Sequence, residues 1–289
     1  MFLTLVLFAA DFTTIQPPCE TASLIQSGFA FTEGPAWSPE GELFFSDIPR
    51  NQILRMDKSG RITVFRSNSG GANGLAFDHQ GRLIACEGRA RRVTRTEKDG
   101  SITVLAAEWK GKRLNSPNDL ALDSSGRIYF TDPRYGSRHD MEMDVEAVWR
   151  IDPDGTLTRL ITDLKKPNGI AVSPDSRTLY VADNGADCVV AYPLKRNGSI
   201  GKGRVLCRLT GGPDGMAVDA AGRLYVTGPA GIWVFSPRGA LLGIIEIPRL
   251  PANVCFGGPE LKTIFVTART DLYRVKLAQK GLPLPPSIR

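Results

Sequence analysis

Six side chains that carry oxygen stand at the same place in a recurring pattern along this 289-residue chain: Glu33, Asn73, Asn118, Asn168, Asp214 and Asn253. Gathered at one point, two carboxylates and four carboxamides would repel one another or lose hydrogen-bond partners unless a cation sat among them. Oxygen donors without imidazole or thiolate suit a hard ion, Ca²⁺ first, with Mg²⁺, Mn²⁺ or Zn²⁺ as substitutes, and the two formal charges match one divalent ion. Such an ion polarises a carbonyl, stabilises the oxyanion that forms on it and makes bound water more acidic. The water must also lose a proton. Asp132, at the end of a β-rich run, is a candidate base, set against the reading of a strand-end aspartate that accepts backbone N–H groups. Rival machinery is thin. The chain has two histidines, His79 and His139, both in polar turn-like contexts that read as solvated, and no Gly-x-Ser-x-Gly elbow, which argues against a Ser-His-Asp arrangement. Its five cysteines include no Cys-x-x-Cys pair, which argues against a Cys/His zinc site and against a disulfide scaffold.

These residues head the first half of each of six repeats, as in Asn73-Gly-Leu-Ala-Phe-Asp and Asp214-Gly-Met-Ala-Val-Asp, and a β-rich run follows after a turn, as in Arg127-Ile-Tyr-Phe-Thr-Asp. Successive heads lie 40, 45, 50, 46 and 39 residues apart, room for four short strands in each repeat. The expected fold class is all-β: a six-bladed β-propeller of four-stranded blades. In that architecture the first strands line the axis, so the six heads form a ring at one mouth. Alanine three residues after five of them (Ala36, Ala76, Ala121, Ala171, Ala217) fits strands crowded toward the axis. Asn-Gly is also a turn signal, an account that suits Asn73 alone but not the sequence Glu33-Gly-Pro. The last repeat runs into a proline-rich end that cannot supply a ladder strand. Residues 22–28 are expected to take its place and close the ring by pairing with the last blade. The expected organisation is a leader or signal peptide at 1–20, one propeller domain at 21–277 and a C-terminal tail at 278–289.

Composition bounds the remaining classes. With 42% hydrophobic and 23% charged residues the chain can build a core, and its 30 glycines and 20 prolines punctuate many short strands. The longest apolar run, residues 2–10, is too short to span a bilayer as a helix; it resembles the apolar part of a secretory signal but lacks the basic start, so secretion or export to a periplasm stays level with a cytoplasmic location. Net charge is +6, with one knot at Arg89, Arg91, Arg92 and Arg95 that reads as a solvated edge strand rather than a nucleic-acid contact, since no stacking aromatics accompany it.

The motifs Glu33-Gly-Pro-Ala-Trp, Asn115-Ser-Pro-Asn-Asp-Leu, Thr131-Asp-Pro-Arg-Tyr-Gly, Pro167-Asn-Gly-Ile-Ala-Val-Ser-Pro-Asp and Pro213-Asp-Gly-Met-Ala-Val-Asp, in this order over roughly residues 25–275, resemble the gluconolactonase, regucalcin and luciferin-regenerating enzyme family. The resemblance implies a six-bladed propeller with an axial divalent metal and a metal-dependent hydrolase that opens a lactone, typically a sugar (aldono-) lactone such as gluconolactone. It implies Glu33, Asn168 and Asp214 as metal ligands, Asp214 as the base, and Asn118 beside the metal against substrate or water; Asn73 is expected on the substrate side of the same ring. Regucalcin-like members carry an arginine two residues before the Asn118 equivalent, where this chain has Ser116; Arg113 is the expected substitute. Residues 134–146 form the longest connection after a second strand, either a cover for the channel mouth or a charged surface elaboration. Two other functions use the same ring: a propeller hydrolase acting on phosphoesters or organophosphates, and a metal- or ligand-binding propeller without turnover. The expected partner is a small-molecule lactone, with no nucleic acid and no membrane span; the oligomeric state is left open.

Overall fold

Residues 20–282 are described by a computed structural model. The expected leader at 1–20 falls almost entirely outside the described residues, as does most of the 278–289 tail. The described chain is strand and turn throughout, apart from one short 3₁₀ turn at Asn184–Ala186.

The strands are β1 (Ser23–Trp37), β2 (Leu43–Asp47), β3 (Gln52–Met56) and β4 (Ile62–Ser67); then β5 (Ala72–Phe77), β6 (Leu83–Glu87), β7 (Arg92–Thr96) and β8 (Ile102–Ala106). A short ribbon, β9 (Glu108–Trp109) and β10 (Lys112–Arg113), precedes β11 (Leu120–Leu122), β12 (Ile128–Asp132), β13 (Ala147–Ile151) and β14 (Leu157–Ile161). The rest are β15 (Pro167–Val172), β16 (Thr178–Asp183), β17 (Cys188–Pro193) and β18 (Arg204–Arg208), then β19 (Met216–Val218), β20 (Leu224–Gly228), β21 (Gly231–Phe235) and β22 (Leu241–Ile245), and finally β23 (Asn253–Gly257) and β24 (Thr263–Lys276). Neighbours pair antiparallel in sequence order, giving the four-stranded sheets β5–β8, β11–β14, β15–β18 and β19–β22. The architecture is all-β and propeller-like.

The expected six separate sheets are not what forms. Among the described residues there are five besides the β9–β10 ribbon, the fifth a six-stranded sheet in the order β23-β24-β1-β2-β3-β4. Two long strands cause this. The first part of β1 pairs with β24 (Ser23 with Arg274, Leu24 with Tyr273), and its last part pairs with β2 (Ala36 with Phe44). Pairing thus continues through bulged stretches where the sequence pattern suggests a break.

Local chemistry explains why the repeats take this form. In three sheets an aspartate after the first strand (Asp78, Asp123, Asp219) accepts the N–H groups two and four residues on with Oδ1, at 2.8–3.1 Å, while its Oδ2 pairs with the arginine four residues on. The glycine between them, Gly81, Gly126 or Gly222, has φ of +74° to +80°, the left-handed turn an L side chain resists. Second strands β2, β6, β12 and β20 are buried at every position, because each is covered on both faces by neighbouring sheets. Each such Leu or Phe contributes roughly 1.5–3 kcal/mol of burial. Outer strands such as β8 are largely exposed. The core is six clusters, each drawing on two successive repeats: Ile84 and Val93 with Phe130 and Trp149 in one, Tyr129 and Val148 with Val181 and Val190 in the next, and Leu43 and Phe45 with Phe265 and Leu272 where β24 meets β1 and β2.

Two expectations fail here. The arginine knot is not a solvated edge: β7 lies between β6 and β8, Arg91 is buried and donates to the Leu114 carbonyl at 2.6 Å, and Arg92 pairs with the buried Glu87. His79 is not a solvated loop residue either; it is buried, with Nε2 3.2 Å from the Asp123 carbonyl oxygen.

Candidate active site

The innermost strands approach one another so closely that glycine is required beside the ring residues. Gly74 N–H donates to the Asn118 carbonyl at 2.7 Å, Gly169 N–H to that of Asp214 at 3.1 Å, and Gly215 N–H to that of Ala252 at 2.8 Å. A Cβ on Gly74 would lie 2.6 Å from Asp119 Oδ1; one on Gly34 would overlap the Asn73 carbonyl oxygen, one on Gly169 that of Asp214, and one on Gly215 the Asn253 carboxamide. Gly74, Gly169 and Gly215 have no left-handed φ, so the recurring Asn-Gly and Asp-Gly pairs mark close backbone approach rather than turns. These contacts tie the second repeat to the third, the fourth to the fifth and the fifth to the sixth at the level of the ring side chains.

Three carboxylates share this centre. Glu33, 5% exposed, accepts the Gly34 N–H at 2.7 Å and a bond from the Asn253 carboxamide. Burial pushes its pKa well above the carboxylate range, and the charges of Asp214 and Asp119 push the same way. Asp214 is raised by burial and then by Asp119; the charge of Arg269 and a hydrogen bond from Asn168 oppose the rise. Burial carries Asp119 up to about 6 despite bonds from the Leu120 N–H at 2.9 Å and from Asn253 Nδ2 at 3.4 Å. Among the described residues no lysine or arginine forms an ion pair with any of the three. Asn168, also 5% exposed, donates from Nδ2 to the Tyr135 hydroxyl at 2.8 Å and bonds to Asp214. With both amide hydrogens committed, its Oδ1 is the free acceptor. Beneath the ring lies an axial cavity of about 240 Å³, lined by Asp119, Ala121, Ala171, Ala217 and Asn253 and reached at one side by Leu282.

Of the residues singled out from the sequence, Glu33, Asn168 and Asp214 interact with one another or with shared neighbours. Asn73 and Asn118 join through their backbones: the Asn73 carbonyl accepts the Ser46 hydroxyl at 2.8 Å, and Asn118 is buried and bonded to Gly74. Arg113 stands on the β9–β10 ribbon and its guanidinium is taken by Glu142. Asp132 uses both oxygens on backbone: Oδ2 accepts Asn115 N–H at 2.9 Å and Oδ1 accepts Ser116 N–H at 2.7 Å, with burial raising its pKa to about 7. Asp47 and Asp183 do the same for Ala30 and Phe31 and for Lys165 and Lys166, so this is a repeated clamp on the loop that enters each inner strand.

Asp119 and Tyr135 were missed as site residues. Asp119 has a signal: it occupies the place where four other repeats have glycine. Tyr135 sits inside the Thr131–Gly136 motif; one of the two readings of residues 134–146 put the insertion over the channel mouth, but nothing in the sequence says which of its side chains meets the ring.

A profile of the SMP-30/Gluconolactonase/LRE-like region matches residues 31–270. A gluconolactonase of Zymomonas mobilis is 33% identical, over 89% of this chain and 82% of the relative. The solved gluconolactonase of Xanthomonas campestris is 35% identical, with a TM-score of 0.84 over 89% of each chain. A solved calcium-binding protein, regucalcin of Agrobacterium tumefaciens, shares the fold with a TM-score of 0.80 at 21% identity, over 95% of this chain and 98% of that one.

Proposed function

Since the chain belongs to the SMP-30/Gluconolactonase/LRE-like family, we propose that it is a lactonase that opens an aldonolactone such as gluconolactone at the ring of Glu33, Asn168 and Asp214. The observation that carries this is the set of buried carboxylates, each raised in pKa and none ion-paired among the described residues: Glu33 and Asp119 share the Asn253 carboxamide, and Asp214 bonds to Asn168, whose oxygen is free. Among the described residues no three His, Cys, Asp or Glu side chains form a metal cage; the donor set in this reading is the two carboxylates of Glu33 and Asp214 and the amide oxygen of Asn168. That set fits a divalent cation, Ca²⁺ above Mg²⁺, Mn²⁺ or Zn²⁺: hard donors, two negative charges and unrelieved repulsion. When bound, the ion supplies Lewis-acid polarisation of the lactone carbonyl and charge to stabilise the oxyanion.

The chain supplies the rest. Asp214, the carboxylate that Asn168 bonds, is assigned to receive the proton of the attacking water. Asn118, buried just before β11, borders the substrate together with Asn73. Asp132 is assigned to the backbone clamp rather than to proton transfer, and Arg113, paired with Glu142, is set aside as a substrate group. The six-stranded sheet is read as two blades that share the long strands β1 and β24, which gives six blades and closes the ring through the Ser23–Arg274 and Leu24–Tyr273 pairs; the six two-repeat core clusters support this.

Proton release from a panel of aldonolactones and phosphotriesters, followed with chelator-stripped protein before and after Ca²⁺, Mg²⁺, Mn²⁺ or Zn²⁺, tests the reading. Release from lactones only after metal return is expected. Undiminished lactone turnover in chelator, or turnover of phosphotriesters alone, would overturn it.

A further inference from the structure

Tyr135 reaches the ring from the insertion between β12 and β13 and is held there from several sides. Arg134 Nη1 donates to the Asn115 carbonyl at 2.9 Å and its Nε to the Ser137 carbonyl at 2.8 Å. Lys166 Nζ lies 4.8 Å from the centre of the Tyr135 ring and donates to the Arg134 carbonyl at 3.4 Å. Farther along, Arg91 holds Asp140 and Arg138 holds Glu146. The insertion is therefore a braced arm, not a loose charged elaboration.

The hydroxyl it delivers is in an unusual state of satisfaction. Tyr129, Tyr225 and Tyr273 donate their hydroxyl protons to Asp123, Asp219 and Asp271 at 3.0–3.2 Å. Tyr135 Oη instead accepts from Asn168 Nδ2, and that bond leaves its proton unspent. The hydroxyl lies within electrostatic reach of Asp214 and Glu33, and the residue is 43% exposed, so it borders both the carboxylates and the open mouth.

We propose that Tyr135 is a catalytic residue whose hydroxyl donates its proton to the ring oxygen of the lactone as that oxygen leaves. The proposal rests on the lactonase reading above. In the balanced step the water oxygen bonds to the carbonyl carbon and the water proton passes to Asp214. The carbon–ring oxygen bond then breaks, its electron pair stays on the ring oxygen, and that oxygen takes the Tyr135 proton. The proton held by Asp214 returns to the tyrosine oxygen through solvent, so lactone plus water gives the hydroxy acid. An aliphatic alkoxide is a poor leaving group that gains from a proton donor as the bond breaks; a phenolic leaving group needs no such help.

The test is Tyr135→Phe, which deletes only the hydroxyl, assayed on lactones whose leaving groups range from aliphatic alcohols to phenols, with Ca²⁺ titration and thermal unfolding alongside. The expected result is a loss of about 100-fold or more in kcat on the aliphatic aldonolactone, shrinking to within about threefold on the phenolic lactone, with Ca²⁺ affinity and unfolding midpoint unchanged. Equal losses along the series, no loss anywhere, or loss accompanied by weaker Ca²⁺ binding would overturn the role, the last two marking a bystander and an Asn168 prop. A wild-type protein inactive on every lactone would remove the lactonase reading and this step with it, and that is seen before any variant is made.

Discussion

Exchanging Glu33 for Gln should give a metal-free protein that is more stable than the wild type and inactive. An acid whose pKa is raised by folding binds more protons in the native state than in the unfolded one, so stability falls as pH rises; the penalty is absent below the unfolded value near 4.5 and grows above it. Its ceiling follows from the escape open to Glu33, which is to take a proton. At pH 7 that costs about 2.5 pH units at 1.36 kcal/mol each, or about 3 kcal/mol. Glutamine carries no such cost, keeps an oxygen for the Gly34 N–H and turns its NH₂ toward carboxylates. At roughly 2–4 °C per kcal/mol for a domain of this size, the unfolding midpoint in chelator should rise by up to about 6–12 °C at pH 7 and scarcely at pH 4.5. Added Ca²⁺ should then raise the wild-type midpoint and leave the variant unmoved. A variant less stable than wild type in chelator at pH 7, or one that Ca²⁺ stabilises equally, would refute the claim that Glu33 is a repelled carboxylate waiting for a cation.

Asp132→Asn removes one of two acceptors for the Asn115 and Ser116 N–H groups, at 2.9 and 2.7 Å, and should destabilise by about 1–2 kcal/mol in chemical denaturation while kcat per folded molecule stays within about threefold. A 100-fold loss of kcat in a fully stable variant would make Asp132 the base instead. Gly169→Ala drives a Cβ into the Asp214 carbonyl oxygen; about 1–3 kcal/mol of lost stability and weaker Ca²⁺ binding by calorimetry are expected, and an unchanged protein would show that the strands have room to part.

The period of the repeats was legible because it is written in local chemistry: Asp78, Gly81 and Arg82 clamp one turn, and Asp123 and Asp219 repeat the device. The strand class and the ring heads follow from it. The count of sheets was not legible, since whether β1 breaks between its two partners depends on bulge geometry rather than on composition. The arginine knot misled because the charge of Arg92 is balanced by Glu87 on the adjacent strand, a pairing fixed by register. Asn-Gly was half legible: the turn reading of Asn73 gives way to the carbonyl of Asn118 lying 2.7 Å from the Gly74 nitrogen. Asp119 announced itself only as a departure from glycine, and Tyr135 needed the insertion's return path, which no periodicity encodes.

Anomalous diffraction from crystals soaked in Ca²⁺ tests the central claim most directly. A single peak about 2.3–2.6 Å from carboxylate oxygens of Glu33 and Asp214 and from Asn168 Oδ1 is the result predicted here. An ion bound elsewhere, with those three side chains untouched in a protein that hydrolyses lactones, would contradict it.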